Sequence, residues 1–597
     1  MKTATKILAV LLFLTSLLNA QPLPPEIPWN GKSMRFIHSN TDPWVTPAEK
    51  SGLTQTPDYA TTIAWLEKLS QSSKHLTMQS IGKTGQNRDL YLVVATQSGA
   101  DKPEQLLGSE KPTLLFQAGI HSGEIDGKDA GMMFLRDVVF ENPALLDKIN
   151  ILFIPVLSPD GHENSSKFAR VNQRGPEVMG WRTNARNLNL NRDYAKAETP
   201  EIQALLSVLQ NWPVDLYIDI HVTDGVDYQY DVTWGSTSKY PYSPKIDAWI
   251  KKQLNPVLEK ALKKEGHIPG PLIFARDNKN PEDGIVEWNP PPRFSNGYGD
   301  LRHLPTILIE NHSLKSYKQR VLGTYVFLQA VCDKLAHDGK ALQKAIAQDQ
   351  AARPEKVNLP ANWSTGFGEN KPDSLDYLGM DYKIVQSPIS GTEEIQWLGK
   401  PKNARVPIFN QSANEQIAIP RGYWIPAERY DIIEKLQLHG IKMDVISKPQ
   451  TVSVQLYRLV KFKLADEAYE GRVRLQIEEL KVEERTVTYA PGSAQINMDQ
   501  PLAELATLLL EPRSEDSFLQ WGFFHEILQQ TEYIEGYVVE PLAQQMLKDN
   551  PQLKQEFEKA LQDEKFAKNP NARLRWFYKR SPYYDNNYVL YPVGKEM

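Results

Sequence analysis

A single cysteine, Cys332, is all that the 597 residues contain. That excludes an internal disulfide, and it excludes a lipid-modified cysteine at an export cleavage point. The fold must therefore rest on core burial, which a chain of this length can supply even in an oxidising compartment. Long apolar runs are missing too. The best candidate, Ile7 to Leu18, has about 12 residues against the roughly 20 that a membrane-spanning helix needs. No long basic run occurs and the formal net charge is -5, so nothing argues electrostatically for a nucleic-acid partner. Internal repeats and low-complexity tracts are also absent. What remains is globular in character, with 41% hydrophobic and 24% charged residues, in a chain long enough for roughly two to four domains.

The N-terminus has its own pattern. Lys2 and Lys6 precede the short apolar stretch, and Asn19-Ala20 follows it. This predicts a secretory signal peptide over residues 1–20, cleaved after Ala20. The mature chain is then expected to be secreted or periplasmic, with no membrane association after signal removal.

The informative stretch is Gln117-Ala118-Gly119-Ile120-His121-Ser122-Gly123-Glu124. The apolar run Thr113 to Phe116 predicts a buried strand before it, and Lys128 to Phe140 predicts an amphipathic helix after it. His121 and Glu124 are then expected on a first helical turn, where i, i+3 spacing puts an imidazole and a carboxylate on one face. One neutral imidazole and one carboxylate are two of the three protein ligands of a catalytic zinc site. With 11 histidines in the chain, a chance His-x-x-Glu is common, so the motif needs company.

Company comes at equivalent places downstream. Val214 to Ile220 predicts a strand ending at His221, and Thr306 to Ile309 one ending at Glu310. Ile149 to Leu157 runs into Ser158-Pro159-Asp160-Gly161, a turn signature. Thr199-Pro200-Glu201 opens a helix; Ser243 to Glu265 and Tyr317 to His337 predict further helices. Apolar strands alternating with helices indicate an α/β fold, a mostly parallel mixed sheet flanked by helices. In such sheets ligands bind beyond the carboxyl ends of the strands, where His121, His221 and Glu310 all stand. Between them, Gly180 to Tyr194 is rich in Asn and Arg. That loop lines a polar pocket or is a solvated turn; an arginine fork in it suits a carboxylate.

In this order, His121-Ser-x-Glu124, Pro159-Asp160-Gly161, Trp181-Arg182, Asn189-x-Asn191-Arg192, His221 and Glu310 resemble the zinc carboxypeptidase family, over roughly residues 50 to 345. The resemblance implies one zinc ion per chain, held by His121, Glu124 and His221. It implies that Arg182 polarises the scissile carbonyl, that Asn191 and Arg192 hold the terminal carboxylate of a peptide substrate, and that Glu310 is the general base. There are departures. Gly123 stands where the pancreatic branch has Arg, Ser158 where it has Asn, and Asn189 where an Asp commonly supports the first zinc histidine. The substrate-capping tyrosine has no clear counterpart; Tyr298, in Ser295-Asn296-Gly297-Tyr298-Gly299, is the candidate, with a packing tyrosine as the alternative.

The expected activity is that of an exported zinc metallocarboxypeptidase. Cleavage of cell-wall peptides and deacylation of amino-acid conjugates remain open on the same fold, and a non-catalytic binding module is a further possibility. Domain limits are expected at 21–350 for the catalytic domain, 351–376 for a linker, and 377–597 for an accessory region of mixed strands and helices that packs on or restricts the cleft. In that region Phe518 to Gln530 reads as helical. The Tyr-rich segment Trp576 to Tyr591 covers its own domain or offers a binding surface.

Overall fold

The pentapeptide Thr113–Gln117, apolar at its three central positions, forms a strand buried at every position, as do Asn150–Ile154 and Leu216–Val222. Continuous burial of this kind marks the centre of a sheet covered on both faces. The computed structural model describes residues 23–237, 239–352, 357–365 and 373–597; the expected signal peptide lies outside them. The strands of the first half are β1 (Leu76–Lys83), β2 (Asp89–Ala95), β3 (Thr113–Gln117), β4 (Asn150–Ile154), β5 (Leu216–Val222), β6 (Val232–Gly235), β7 (Pro269–Pro271), β8 (Ile285–Glu287) and β9 (Thr306–Asn311). All but β8 join one eight-stranded sheet, ordered β1-β2-β4-β3-β5-β9-β6-β7. Its centre, β4-β3-β5-β9, is parallel; β2 runs antiparallel to β4 and β1 to β2 on one side, while on the other β6 runs antiparallel to β9 and β7 parallel to β6. The expected α/β architecture is present.

The helix Asp126–Phe140 was expected to be amphipathic but is buried along nearly its whole length. It lies in the same core as the long helix Tyr317–Ala351, together with Phe116, Phe153 and Ile218 of the sheet. A helix covered on all sides need not show a polar face.

The chain divides into two compact units. The first takes residues up to Arg421 with Asp431–Asp444 and Ile496–Ser517; the second comprises Gly422–Tyr430, Val445–Gln495 and Phe518–Met597. This division runs at other positions than the expected limits of 350 and 376. Strands β10 (Asn358–Thr365), β11 (Asp373–Gln386) and β12 (Glu393–Ala418) form a sheet within the first unit. β10 and the start of β11 fall inside the segment expected to be a linker. Proline, asparagine and serine there punctuate strands rather than separate domains. The second unit centres on β13 (Gly422–Ile425), β15 (Gln450–Tyr469), β16 (Arg472–Tyr489) and β18 (Leu590–Glu596), strands of a six-stranded sheet whose other members are β14 (Asp444–Val445) and β17 (Ala494–Asn497). Trp424, Val454, Leu456, Tyr489 and Leu590 form its core. Only a short 3-10 turn, His525–Leu528, replaces the helix expected over Phe518 to Gln530. Phe577 and Tyr578 of the Tyr-rich segment are buried against Val539, Ala543 and Phe557, so part of that segment packs on its own unit.

Candidate metal centre and substrate cleft

Beyond the last residue of β3 the chain turns sharply. Gly119 has φ +65°, and a Cβ there would lie 3.1 Å from both Ile125 and Val156 side chains, so glycine suits this bend. His121 and Glu124 follow in a turn closed by Glu124 N–H donating to His121 O at 2.9 Å. They precede the helix, which starts at Asp126, rather than occupying its first turn as expected. The turn is anchored from behind: the buried Arg320 guanidinium donates to Asp126 at 2.9 Å, and Asn311 at the end of β9 donates to the same carboxylate at 3.2 Å.

β5 delivers His221 to the same place. His121 Nδ1 is 3.1 Å from Glu124 Oε1, His221 Nδ1 is 3.0 Å from Glu124 Oε2, and the two Nδ1 atoms are 3.2 Å apart. All three side chains are buried. The outer ring nitrogens face polar groups: His121 Nε2 is hydrogen-bonded to Asn189 Oδ1 at 2.8 Å, and His221 Nε2 lies at ion-pair distance, 2.8 Å, from Asp219 Oδ2 without hydrogen-bond alignment. Asn189 Oδ1 also accepts from Asn191 N–H at 3.0 Å, which identifies it as the oxygen. With a proton on each outer nitrogen, both Nδ1 atoms direct lone pairs at a shared point beside a carboxylate. Three converging electron pairs in a buried site repel one another, and a divalent cation reconciles them. The residues fit zinc: two imidazoles and one carboxylate with a side left open.

The charges follow the same geometry. Burial pulls the His121 imidazole down to about 4. Burial acts on His221 in the same direction, but Asp219, Glu124 and Glu310 outweigh it and hold the ring at about 10, so a cation that takes the Nδ1 lone pair must displace a proton from it. Glu124 is disfavoured as an anion by burial, yet His121, Arg170 and His221 keep it well below the usual carboxylate range. Glu310 goes the other way. Burial, Glu124 and Asp224 raise it to about 8, against the pull of His221 and Arg182.

A cavity of about 460 Å³ opens on the cluster. His121, Glu124, His221, Arg182, Asn191, Arg192 and Glu310 all line it. Arg182 donates to Glu124 Oε1 at 3.1 Å. Asn191 accepts from Ser295 N–H at 3.3 Å, and the Arg192 guanidinium sits 4.1 Å from the centre of the Phe294 ring. Seven of the eight sequence candidates therefore meet in one place.

Tyr298 does not. It is 1% exposed, and its hydroxyl is 2.9 Å from His439 Nδ1 and 3.1 Å from Arg302 Nη1. It is absent from the cavity lining, so its candidacy as a mobile cap is corrected: its glycine-flanked segment is a buried helix, Ser295–Leu301. Two contributors escaped sequence reading. Asp219 stands out in hindsight as an acid inside an apolar strand, two residues before His221 and hence on the same strand face. Arg170 carried no signal. Its Nη2 donates to Glu124 Oε1 at 2.6 Å, and its side chain crosses the space above Gly123.

A family model described as zinc carboxypeptidase matches residues 62–269. That range includes His121, Glu124, Arg182, Asn191, Arg192 and His221 and stops short of Glu310. Carboxypeptidase 2 of Trichophyton rubrum is 21% identical over 481 residues, covering 77% of this chain and 82% of that protein. Carboxypeptidase D of Homo sapiens is 27% identical over 179 residues, covering 28% of this chain and 12% of that protein. Among solved structures, a metallo-carboxypeptidase from Burkholderia cenocepacia superposes with a TM-score of 0.34 and 16% identity, over 46% of this chain and 68% of that one.

Proposed function

This chain belongs to the zinc carboxypeptidase family through residues 62–269 and is a zinc metallopeptidase, and we propose that it is exported and removes single residues from the carboxyl ends of peptides. The observation that carries this reading is the shared cavity, which brings together a cluster able to hold a cation, the half-buried Glu310 carboxylate and an Asn-Arg pair. No helix among the described residues is long and apolar enough to cross a membrane.

His121, Glu124 and His221 would hold the zinc, whose Lewis acidity brings a water pKa towards about 7 and polarises a carbonyl. Every other task falls to this chain's own groups. Arg192 and Asn191 take the substrate's terminal carboxylate, a planar anion that an arginine fork matches. That contact sets the register, so only the last peptide bond reaches Glu310. Glu310 receives the proton of the attacking water and passes it to the leaving amine. Arg182 leaves Glu124 for the developing oxyanion, where a fixed positive donor is worth most. Asp219 and Asn189 hold the two imidazoles in the tautomer that presents Nδ1.

The test is direct. Purified protein should contain one zinc per chain and release C-terminal residues from peptides, a chelator should stop it, and added zinc should restore it. Peptides amidated at the C-terminus should be poor substrates. Cleavage of amidated and free peptides at equal rates would overturn the exopeptidase assignment.

A further inference from the structure

The part of the cleft away from the metal cluster is of a different character. Leu272, Ile273, Phe274, Val286, Trp288 and Phe294 line it. Trp288 packs edge-on against both Phe274 and Phe294, with ring centroids 5.3 and 4.6 Å apart. Phe274 is still 40% exposed, so this aromatic wall is not closed off by the protein itself. The wall begins beside the carboxylate anchor, since Phe294 is the ring beneath Arg192. A residue held at Arg192 by its terminal carboxylate has its side chain one bond further on, against these rings. Apart from the residues with assigned roles, the lining has one charged group, Asp224. It is close enough to Glu310 to raise that carboxyl, which puts it at the chemical end.

The wall is braced by a sheet that lies outside the family match. β8 pairs in parallel with Ile408–Asn410 of β12. Gln411 Oε1 accepts from Asn289 N–H, next to Trp288, at 2.8 Å. Gly284 has φ +124°, and a Cβ there would lie 2.7 Å from Pro407 O, so the two backbones approach as only glycine allows. Behind this contact Ile285, Tyr377 and Val406 share a core with Tyr228 and Tyr230.

We propose that the cavity selects large apolar, above all aromatic, side chains on the residue released, and that β12, which pairs with β8 and, at Gln411, with β10, holds the selecting wall in place through Gln411. This rests on the carboxypeptidase reading. Gln411 acts as a positioning residue, since its contact is with backbone behind Trp288. The wall makes the pocket apolar; the contact with β12 holds its backbone in place.

The experiment uses the full, zinc-loaded chain and blocked dipeptides ending in Phe, Leu, Ala, Lys or Glu. Phe and Leu should exceed Ala in kcat/KM by about 10-fold or more, as added methylenes do in apolar pockets. Lys and Glu should be poorer still, because their charges lose water without gaining a partner. Leu272→Asp should raise the Lys rate relative to Phe. If that variant does not fold, Trp288→Ala should narrow the ratio of Phe to Ala instead. Gln411→Ala should raise KM for the Phe substrate several-fold with kcat little changed, and Gln411→Glu, which keeps an acceptor, should recover it. A flat profile, a preference for Lys or Glu, or an unmoved ratio in the wall variants overturns the pocket assignment. An unmoved KM in Gln411→Ala overturns the part given to β12. Zinc-loaded protein that releases no C-terminal residue at all overturns the carboxypeptidase reading, and this inference with it.

Discussion

His221 and Glu310 are register partners on adjacent parallel strands, β5 and β9. Neighbouring strands run roughly 4.8 Å apart, and paired residues point to the same side. One proposed metal ligand and the proposed base are thus spaced by a backbone ladder at the sheet's centre. A ladder does not drift as loops do, so the base stays in place whether or not substrate is bound.

The first expectation concerns that base. Glu310→Gln should keep its zinc, measured by elemental analysis, and lose about 10²–10⁴-fold in turnover. The pH profile supplies a second check. Burial and two carboxylates raise Glu310 to about 8, and a bound cation pulls it down. The base works only when deprotonated, so kcat/KM should fall as pH drops through a value below 8. The glutamine variant should lack that acid limb. Near-normal turnover in the variant would remove Glu310 from the role.

Arg192→Ala tests the anchor. Charged hydrogen bonds of this kind are worth about 1.5–3 kcal/mol. The loss should appear chiefly as a raised KM for substrates with a free carboxyl terminus. Rates on amidated peptides, already low, should barely move. An equal loss on both would assign Arg192 to structure instead.

Asp219 is the carboxylate behind His221, 2.8 Å from its outer nitrogen. Asp219→Asn keeps the shape and removes the charge, and it should weaken zinc by about 10–100-fold in a chelator competition. Asn189→Asp makes the opposite change behind His121 and should tighten binding. Affinities that ignore both substitutions would mean that these contacts do not tune the site.

Gly123→Ala tests the crowding around the ligand turn. A Cβ at this position would lie 2.6 Å from Gly180 O and would also run into the Arg170 side chain. A side chain can move aside; a carbonyl held in the backbone cannot do so cheaply. Overpacking of this sort costs about 1–3 kcal/mol, so thermal denaturation should show a lower Tm. An unchanged Tm would show that the turn has room. The glycine at this point and the Arg170 that fills its space belong together.

Much of the site was legible in the chain because buried central strands are near-continuous apolar runs. The polar residue that ends such a run stands at the sheet's carboxyl edge, which is why His221 and Glu310 could be placed and His121, just past β3, with them. The same logic failed for Tyr298. Its Gly-rich neighbours suggested a mobile loop, but those glycines allow close packing inside a helix: a Cβ on Gly297 would run into Pro290 O, and one on Gly299 into Thr306 Oγ1.

The sequence by itself determined the α/β architecture, the identity of the cluster and the polar loop beside it, since each depends on local periodicity and on residue type at strand ends. Only the tertiary structure decided that Arg170 and Asp219 serve the cluster, that β10 to β12 belong with the first unit, and that Phe274, Trp288 and Phe294 form one wall. Those are relationships of three-dimensional contact rather than of local pattern. Which side chains meet there depends on the register and twist of several strands at once, and no short stretch of residues records that.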